Sequence, residues 1–266
     1  MSALLRGRTF GIIGTGRVGS VLAAALADAG YQVGTGRAAA AEADIALLAV
    51  PDDVLPPLII ELPVREGQVV AHTSGAHGIG VLAPAVARGA QPLAMHPAMT
   101  FTGRAEDLVR LRKGVSFGVT APPDVRPLAS ALVHELGGTV EWIAEEHRTL
   151  YHAALAHGAN HLVTLVNEAV DRLRDAGVVH PERILDPLLH AALDNALRLG
   201  DAALTGPVSR GDAGTVAAHL AALADAAPDS VPAYLALARR TADRAVAARR
   251  LTVGEAEPLL DALKQS

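Results

Sequence analysis

The chain has 266 residues, half of them hydrophobic but only 3% aromatic, with a formal net charge of −5 and no cysteine. That length is more than one ordinary globular core uses and suits two. The acidic balance, with a pI near 6.1, argues against a nucleic-acid surface, which needs a cationic patch to displace counterions, and the lack of cysteine excludes disulfides, thiolate metal sites and thiol nucleophiles. With so few aromatics, the core must come from Ala, Leu and Val, which favours closely packed helices. The opening MSALLRGRTFGIIG is broken by glycine too soon for a signal peptide. No apolar run approaches the roughly 18 residues of a membrane span. A cytoplasmic protein acting on a small-molecule substrate is therefore expected, with no nucleic-acid or membrane partner.

Short apolar runs alternate with helix-like stretches through the first half: TFGIIG, VGSVLAAALADAG, YQVGTG, DIALLAV, QVVAHT, QPLAMH and GVSFGVT. This is the pattern of a doubly wound α/β fold with buried parallel strands. Gly14-Thr15-Gly16-Arg17-Val18-Gly19 fits G-x-G-x-x-G between a strand and a helix. Gly14 serves the tight turn, Gly16 the approach of a pyrophosphate, and Gly19 the packing of helix on strand, while the helix N-terminus offers amides to the anion. A structural strand-to-helix turn is the plainer alternative.

The second GTGR ends at Arg37, where such a fold reads the adenosine ribose. No acid lies between Asp28 and Glu42, so Arg37 points to a 2′-phosphate and hence to NADP(H) rather than NAD. Only AAAAEA separates Arg37 from Asp44. Six residues cannot hold a further helix and strand, so the Rossmann-type sheet is expected to be abbreviated after its second strand. DIALLAV then leads into Val50, Pro51 and Asp52, read as cofactor contacts.

HTSGAHG follows the next strand, and Ser74 there can bind a ligand, cap a helix, or do both. His96, in MHPAMTF, stands just past a strand end, where open α/β sheets place ligands, and has the ordinary pKa for proton transfer near neutrality. From Glu145 onward Ala/Leu-rich helical patterns take over, beginning with one long helix from about Glu145 to Ala176. This gives a dinucleotide-binding domain over residues 1–143 and an all-α domain over 144–266. On the long helix His157 and His161 have i,i+4 spacing, but without H-E-x-x-H or a third ligand no metal site is assigned. TGPVSRGD reads equally as a Gly-Pro turn with an Asp cap or as a loop bringing Arg210 to an anionic substrate.

With the glycine loop, LLAVPDD, HTSGA, MHPAMTF, the long-helix asparagine and TGPVSRGD in this order, the chain resembles Rossmann-like proteins carrying a C-terminal domain of unknown function 2520. These are relatives of the 6-phosphogluconate dehydrogenase C-terminal-like superfamily. The resemblance implies a two-domain homodimer joined through the helical domain, an NADP-dependent oxidoreductase whose helical domain closes over the nicotinamide. Ser74 and His96-Pro97 are similar to the serine and HP motif of prephenate dehydrogenases, where the histidine acts on a substrate hydroxyl. Asn160 matches the asparagine of ketopantoate reductases and β-hydroxyacid dehydrogenases, but the position of their lysine falls on Ala156. The proton-transfer role thereby moves to His96.

The expected function is hydride transfer to or from a small 2-keto or 2-hydroxy acid, with ketopantoate one candidate. His96 protonates the nascent alkoxide, Ser74 orients it or the substrate, Asn160 bonds the reacting oxygen and Arg210 holds the carboxylate. The competing reading is a nucleotide-binding regulatory or scaffold protein that has lost catalysis.

Overall fold

Six of the apolar runs, joined by TVEW, which the sequence pattern did not mark as a strand, form one sheet in the computed structural model of the protein, which describes residues 2–264. The strands are β1 (Thr9–Ile13), β2 (Gln32–Thr35), β3 (Ile45–Leu48), β4 (Val69–His72), β5 (Gln91–Pro97), β6 (Ser116–Thr120) and β7 (Thr139–Trp142), in the order β2-β1-β3-β4-β5-β6-β7. Every residue of β3 and β4 is buried, as apolar strands covered on both faces must be. One face packs Phe10, Ile12, Leu22, Leu26 and Leu132. The other packs Ile13, Leu48, Leu55, Ile59 and Leu82. Each such side chain contributes roughly 1.5–3 kcal/mol on leaving water.

Strands β1 to β5 are mutually parallel. The β5–β6 pair is antiparallel, with His96 opposite Gly118, and β7 runs parallel to β6. The expected α/β sheet is thus present, with its last two strands inverted. An apolar run such as SFGVT reads the same in either direction, so the sequence carried no sign of it.

Six helices lie between the strands: α1 (Arg17–Asp28), α2 (Arg37–Glu42), α3 (Leu55–Glu61), α4 (Ala83–Val86), α5 (Glu106–Leu111) and α6 (Arg126–Glu135). The abbreviation after β2 is as expected. The chain passes from β2 through the six residues of α2 straight to β3, which pairs with the other side of β1. So short a crossover fits only by lying close to the sheet. A Cβ on Gly11 would stand 2.4 Å from the Ala39 carbonyl oxygen, and one on Gly34 would stand 2.7 Å from the Ala39 Cβ. Glycines below and alanines above set that distance.

The expected long helix is built in pieces: a 3₁₀ turn at Glu145–His147, then α7 (Arg148–Leu155), a π-helical turn at Ala156–Asn160, and α8 (His161–Asp175). The described chain divides into two compact units after Asn160, later than the sequence boundary after residue 143. The shift has a physical reason in Arg148 and Tyr151, whose side chains pack on Gly118 of the sheet.

The second unit is helical, with α8, α9 (Pro181–Leu199), α10 (Ala213–Ala226), α11 (Val231–Ala247) and α12 (Val253–Ala262). Its core joins Val216, Leu220, Leu235, Ala242 and Leu259 of the last three helices. Asp212 caps α10 by accepting from the Thr215 amide at 3.0 Å, and Thr252 with Glu255 forms a capping box on α12. By contrast α8 has no buried residue, and α9 has only Pro181 and Leu185. No described helix is long and apolar enough to cross a membrane.

Candidate active site

The glycine loop leaves β1 and opens α1 with its three glycines in different surroundings. Gly14 has φ +100°, and a Cβ on it would lie 2.2 Å from the Ala49 carbonyl oxygen. A Cβ on Gly19 would stand within contact of the Gly14 carbonyl oxygen, at 1.8 Å. Gly16 differs: nothing lies within 4 Å of the position its Cβ would take. The space it leaves faces outward. No acidic residue occupies the first turn of α1, so its amides and partial positive charge stay available to an anion.

The segment after β4 is held by a buried histidine. The Ser74 amide donates to Nδ1 of His72 at 3.2 Å, which places the ring proton on Nε2, where it bonds the Gly78 carbonyl at 2.9 Å. Burial pushes the pKa of His72 down to about 4, and the nearby charge of Arg148 acts in the same direction. His72 is therefore a neutral structural brace. The hydroxyl of Ser74 accepts from the His77 amide at 3.0 Å as a turn within the loop and caps no helix, since the next helical turn starts at Ile79 with Gly78 as its N-cap.

His96 lies on β5. Its Nδ1 is 2.9 Å from the Tyr151 hydroxyl, with the two rings edge to face at 5.7 Å. Burial, followed by the charges of Arg148 and His152, holds its pKa down to about 4. Tyr151 is raised above the usual phenol value by burial, with Arg148 and the Gly118 amide pulling the other way.

Arg148 is 1% exposed. Its Nε donates to the His77 carbonyl at 3.0 Å, Nη1 to Gly118 at 2.9 Å and Nη2 to Ser74 at 2.6 Å. Its guanidinium carbon lies 5.5 Å from the centre of the Tyr151 ring. Close by, Glu145 accepts from the amides of Ile79 and Gly80 at 2.7 and 2.8 Å. Arg148, His152 and Glu145 hold the start of the long helix against the loop after β4, and Tyr151 holds it against β5 and β6. None of these contacts had a sequence signal, because helical periodicity does not say which core a helix belongs to.

These elements surround a cavity of about 390 Å³ lined by Gly16, Arg17, Val18, Val50, Pro51, Asp52, Thr73, Ser74, Gly75, His96 and His152. It continues past Arg17 and His96 to Met99 and Phe101. Arg17 crosses this extension, its Nη1 3.5 Å from the Phe101 carbonyl. The loop beyond is tied by buried Asp107, which accepts from Thr102 and Gly103. The structure thus gathers the glycine loop, Val50 to Asp52, Ser74 and His96 at one place.

Arg37 is not among the lining residues. It starts α2 beyond the end of β2, and its exposed guanidinium meets Glu61 at 2.9 Å. Asn160 is exposed and closes the π turn. Arg210 belongs to the helical unit, where it lines a separate cavity with Thr205, Arg250 and Glu255. Among the described residues no group of three or more His, Cys, Asp or Glu is placed to hold a metal ion.

Comparison with known proteins matches a Rossmann-like domain to residues 35–97 and the domain of unknown function DUF2520 to residues 115–241. No curated protein matches the sequence. Among solved structures, a Thermotoga maritima protein is 20% identical with a TM-score of 0.72, over 91% of this chain and 100% of its own. A Bacteroides fragilis protein described as a candidate NADP oxidoreductase is 21% identical with a TM-score of 0.71, over 89% and 98%. A reductive aminase from Aspergillus terreus, in complex with NADPH and ethyl levulinate, is 17% identical with a TM-score of 0.65, over 91% and 95%. At these identities the likeness is one of fold.

Proposed function

We propose that this chain, a Rossmann-like protein with a C-terminal domain of unknown function 2520, is an NADP(H)-dependent oxidoreductase that transfers a hydride to or from a small 2-keto or 2-hydroxy acid, ketopantoate being one candidate. One observation carries the reading: the open face of Gly16 and the ring of His96 border the same cavity. An anion-binding helix start and a proton-transfer group are thereby within one ligand's length of each other.

The residues present fit a dinucleotide. Gly16 leaves the backbone bare where a pyrophosphate would approach, and Val50, Pro51 and Asp52 form the adjoining wall. When bound, NADP(H) supplies the hydride chemistry. The protein's part is to hold, to orient and to move a proton. His96 delivers a proton to the oxygen on which negative charge develops. Ser74 keeps a hydroxyl proton to orient the substrate or that histidine.

Arg37 is the residue assigned to the 2′-phosphate. Its pair with Glu61 is exposed on both sides, and such pairs contribute about 0–1 kcal/mol. A charge-assisted bond to phosphate is worth roughly 1.5–3 kcal/mol, so exchanging one for the other is favourable.

Homodimerisation through the helical domain is part of the same reading. It is supported by Leu162, Val163, Leu188, Leu193 and Leu197, apolar side chains of α8 and α9 that are at least 41% exposed, more than a soluble helix pair ordinarily shows. Sedimentation of the purified chain tests it. A monomer at micromolar concentration would refute it.

The decisive experiment is NADPH titration followed by NADPH consumption over a panel of 2-keto acids, with His96→Ala alongside. The expected result is NADPH binding by both proteins and turnover about a hundredfold lower in the variant. Unchanged turnover removes His96 from the mechanism. The second reading, a nucleotide-binding scaffold without catalysis, draws on Ala156 standing where related reductases carry lysine, and it predicts tight NADPH binding with no turnover on any substrate. Failure to bind NADPH defeats both.

A further inference from the structure

A carbonyl reduction consumes a proton as well as a hydride, and His96 is poorly placed to store one. The ring is largely buried, with Arg148 and His152 on the side of α7 and only Asp52, across the cavity, as an opposing charge. At neutral pH it is a neutral imidazole with a single ring proton. Such a ring can give that proton away efficiently only if another arrives at the opposite nitrogen.

The opposite nitrogen has a donor. The Tyr151 hydroxyl lies 2.9 Å from Nδ1, and Tyr151 is fixed by its neighbours. Gly118, paired with His96 across the β5–β6 junction, has no side chain, and a Cβ there would come 2.5 Å from the Tyr151 oxygen. Any other residue at Gly118 would push the phenol off His96. Beneath the phenol sits Arg148, three of whose five N–H donors go to backbone carbonyls. Among the described residues no carboxylate lies within ion-pair distance of it. A buried cation left unneutralised is costly. Glu145 and Asp52 act on it from beyond ion-pair distance, and the ring of Tyr151, which becomes an anion on losing its proton, lies 5.5 Å from it.

We propose that Tyr151 is the proton reservoir of His96. Its hydroxyl donates to Nδ1, keeping the proton of the neutral imidazole on Nε2 beside Gly75 at the cavity wall, and Arg148 stabilises the phenolate formed when that proton moves on. The proposal rests on the oxidoreductase reading above. In the reducing direction hydride adds to the carbonyl carbon and the C=O π pair becomes the alkoxide pair. That pair bonds the Nε2 proton as the Nε2–H bond breaks. Nδ1 takes the Tyr151 proton, and the phenolate is later reprotonated by water. Tyr151 and Arg148 act through His96 and are positioning residues.

Two measurements test this on the full chain. In the ligand-free protein labelled with ¹⁵N-histidine, long-range proton–nitrogen correlations are expected to give His96 a protonated Nε2 and a bare Nδ1. A proton on Nδ1 overturns the proposal, whether or not any substrate is turned over. In Tyr151→Phe the aromatic ring over Arg148 is kept, and NADPH affinity and melting temperature are expected to match the wild type. Turnover is expected to fall about a hundredfold and to rise as pH is lowered, because the proton must then come from an imidazolium. Wild-type turnover, or a pH profile unchanged in shape, overturns the proposal. A wild-type protein that reduces no 2-keto acid defeats the oxidoreductase reading instead, and the nitrogen correlations still decide the tautomer.

Discussion

The tetrapeptide GTGR occurs twice, at Gly14 to Arg17 and at Gly34 to Arg37, each time at the end of a parallel strand and the start of a helix. In both copies the first glycine is crowded by the chain and the second has nothing near the position of its Cβ, but the positive φ falls on the first glycine of one copy, Gly14, and on the second of the other, Gly36. In the first, Gly14 presses against Ala49, just past the end of β3, and Gly16 faces open space, so the loop keeps a vacancy on its outer side. In the second, the vacancy at Gly34 is filled from within by Ala39 of α2, and Gly36, at φ +93°, turns the chain into that helix. A glycine motif therefore marks close approach, and only the surroundings say whether a ligand or the chain itself approaches. Arg17 and Arg37 differ likewise: one reaches over the cavity toward Phe101, while the other stands outside it, paired with Glu61.

Four substitutions sharpen this contrast. Gly19→Ala forces a methyl onto the Gly14 carbonyl oxygen. It is expected to cost about 3 kcal/mol, read as a lowered urea midpoint, and an unchanged midpoint would deny the close packing of α1 on the loop. Gly16→Ala places its methyl in free space. Stability should move by less than about 1 kcal/mol while NADPH affinity falls about a hundredfold, or about 2.7 kcal/mol. Equal affinity by calorimetry would make the first copy a structural turn like the second.

Arg37→Ala is expected to weaken NADPH roughly tenfold to a hundredfold and leave NADH unchanged. Equal losses toward the two cofactors would remove Arg37 from the 2′-phosphate. Gly34→Ala sets its methyl 2.7 Å from the Ala39 Cβ, an atom that yields only with the α2 backbone, and should cost about 2 kcal/mol with no change in NADPH affinity. A cofactor defect in that folded variant would mean that the second copy, too, faces the ligand.

Much of the first unit was legible because its signals are local. A glycine fingerprint, strand runs of fixed length and a six-residue gap after Arg37 each constrain geometry on their own, and together they gave the abbreviated sheet. His96 and Ser74 were found because strand ends are where such folds place chemistry. Arg148 and Tyr151 were not. Their contacts span 30 to 74 residues of sequence, and neither residue breaks the helical pattern around it. The π turn at Ala156–Asn160 left no mark either, since one residue of helical underwinding barely disturbs an Ala-rich periodicity. Reading α7 as the start of the helical domain followed from the same limit.

The inversion of β6 and β7 has a consequence for the path of the chain. Because β6 runs against β5, its last residues stand beside Ala94 and Met95, and β7, parallel to β6, sets Trp142 next to Val119. The chain therefore leaves the sheet close to His96. It goes on as α7, whose Arg148 and Tyr151 reach Gly118 and whose Tyr151 and His152 stand beside the His96 ring. Two strands turned end for end thus make an exit route into a wall of the site.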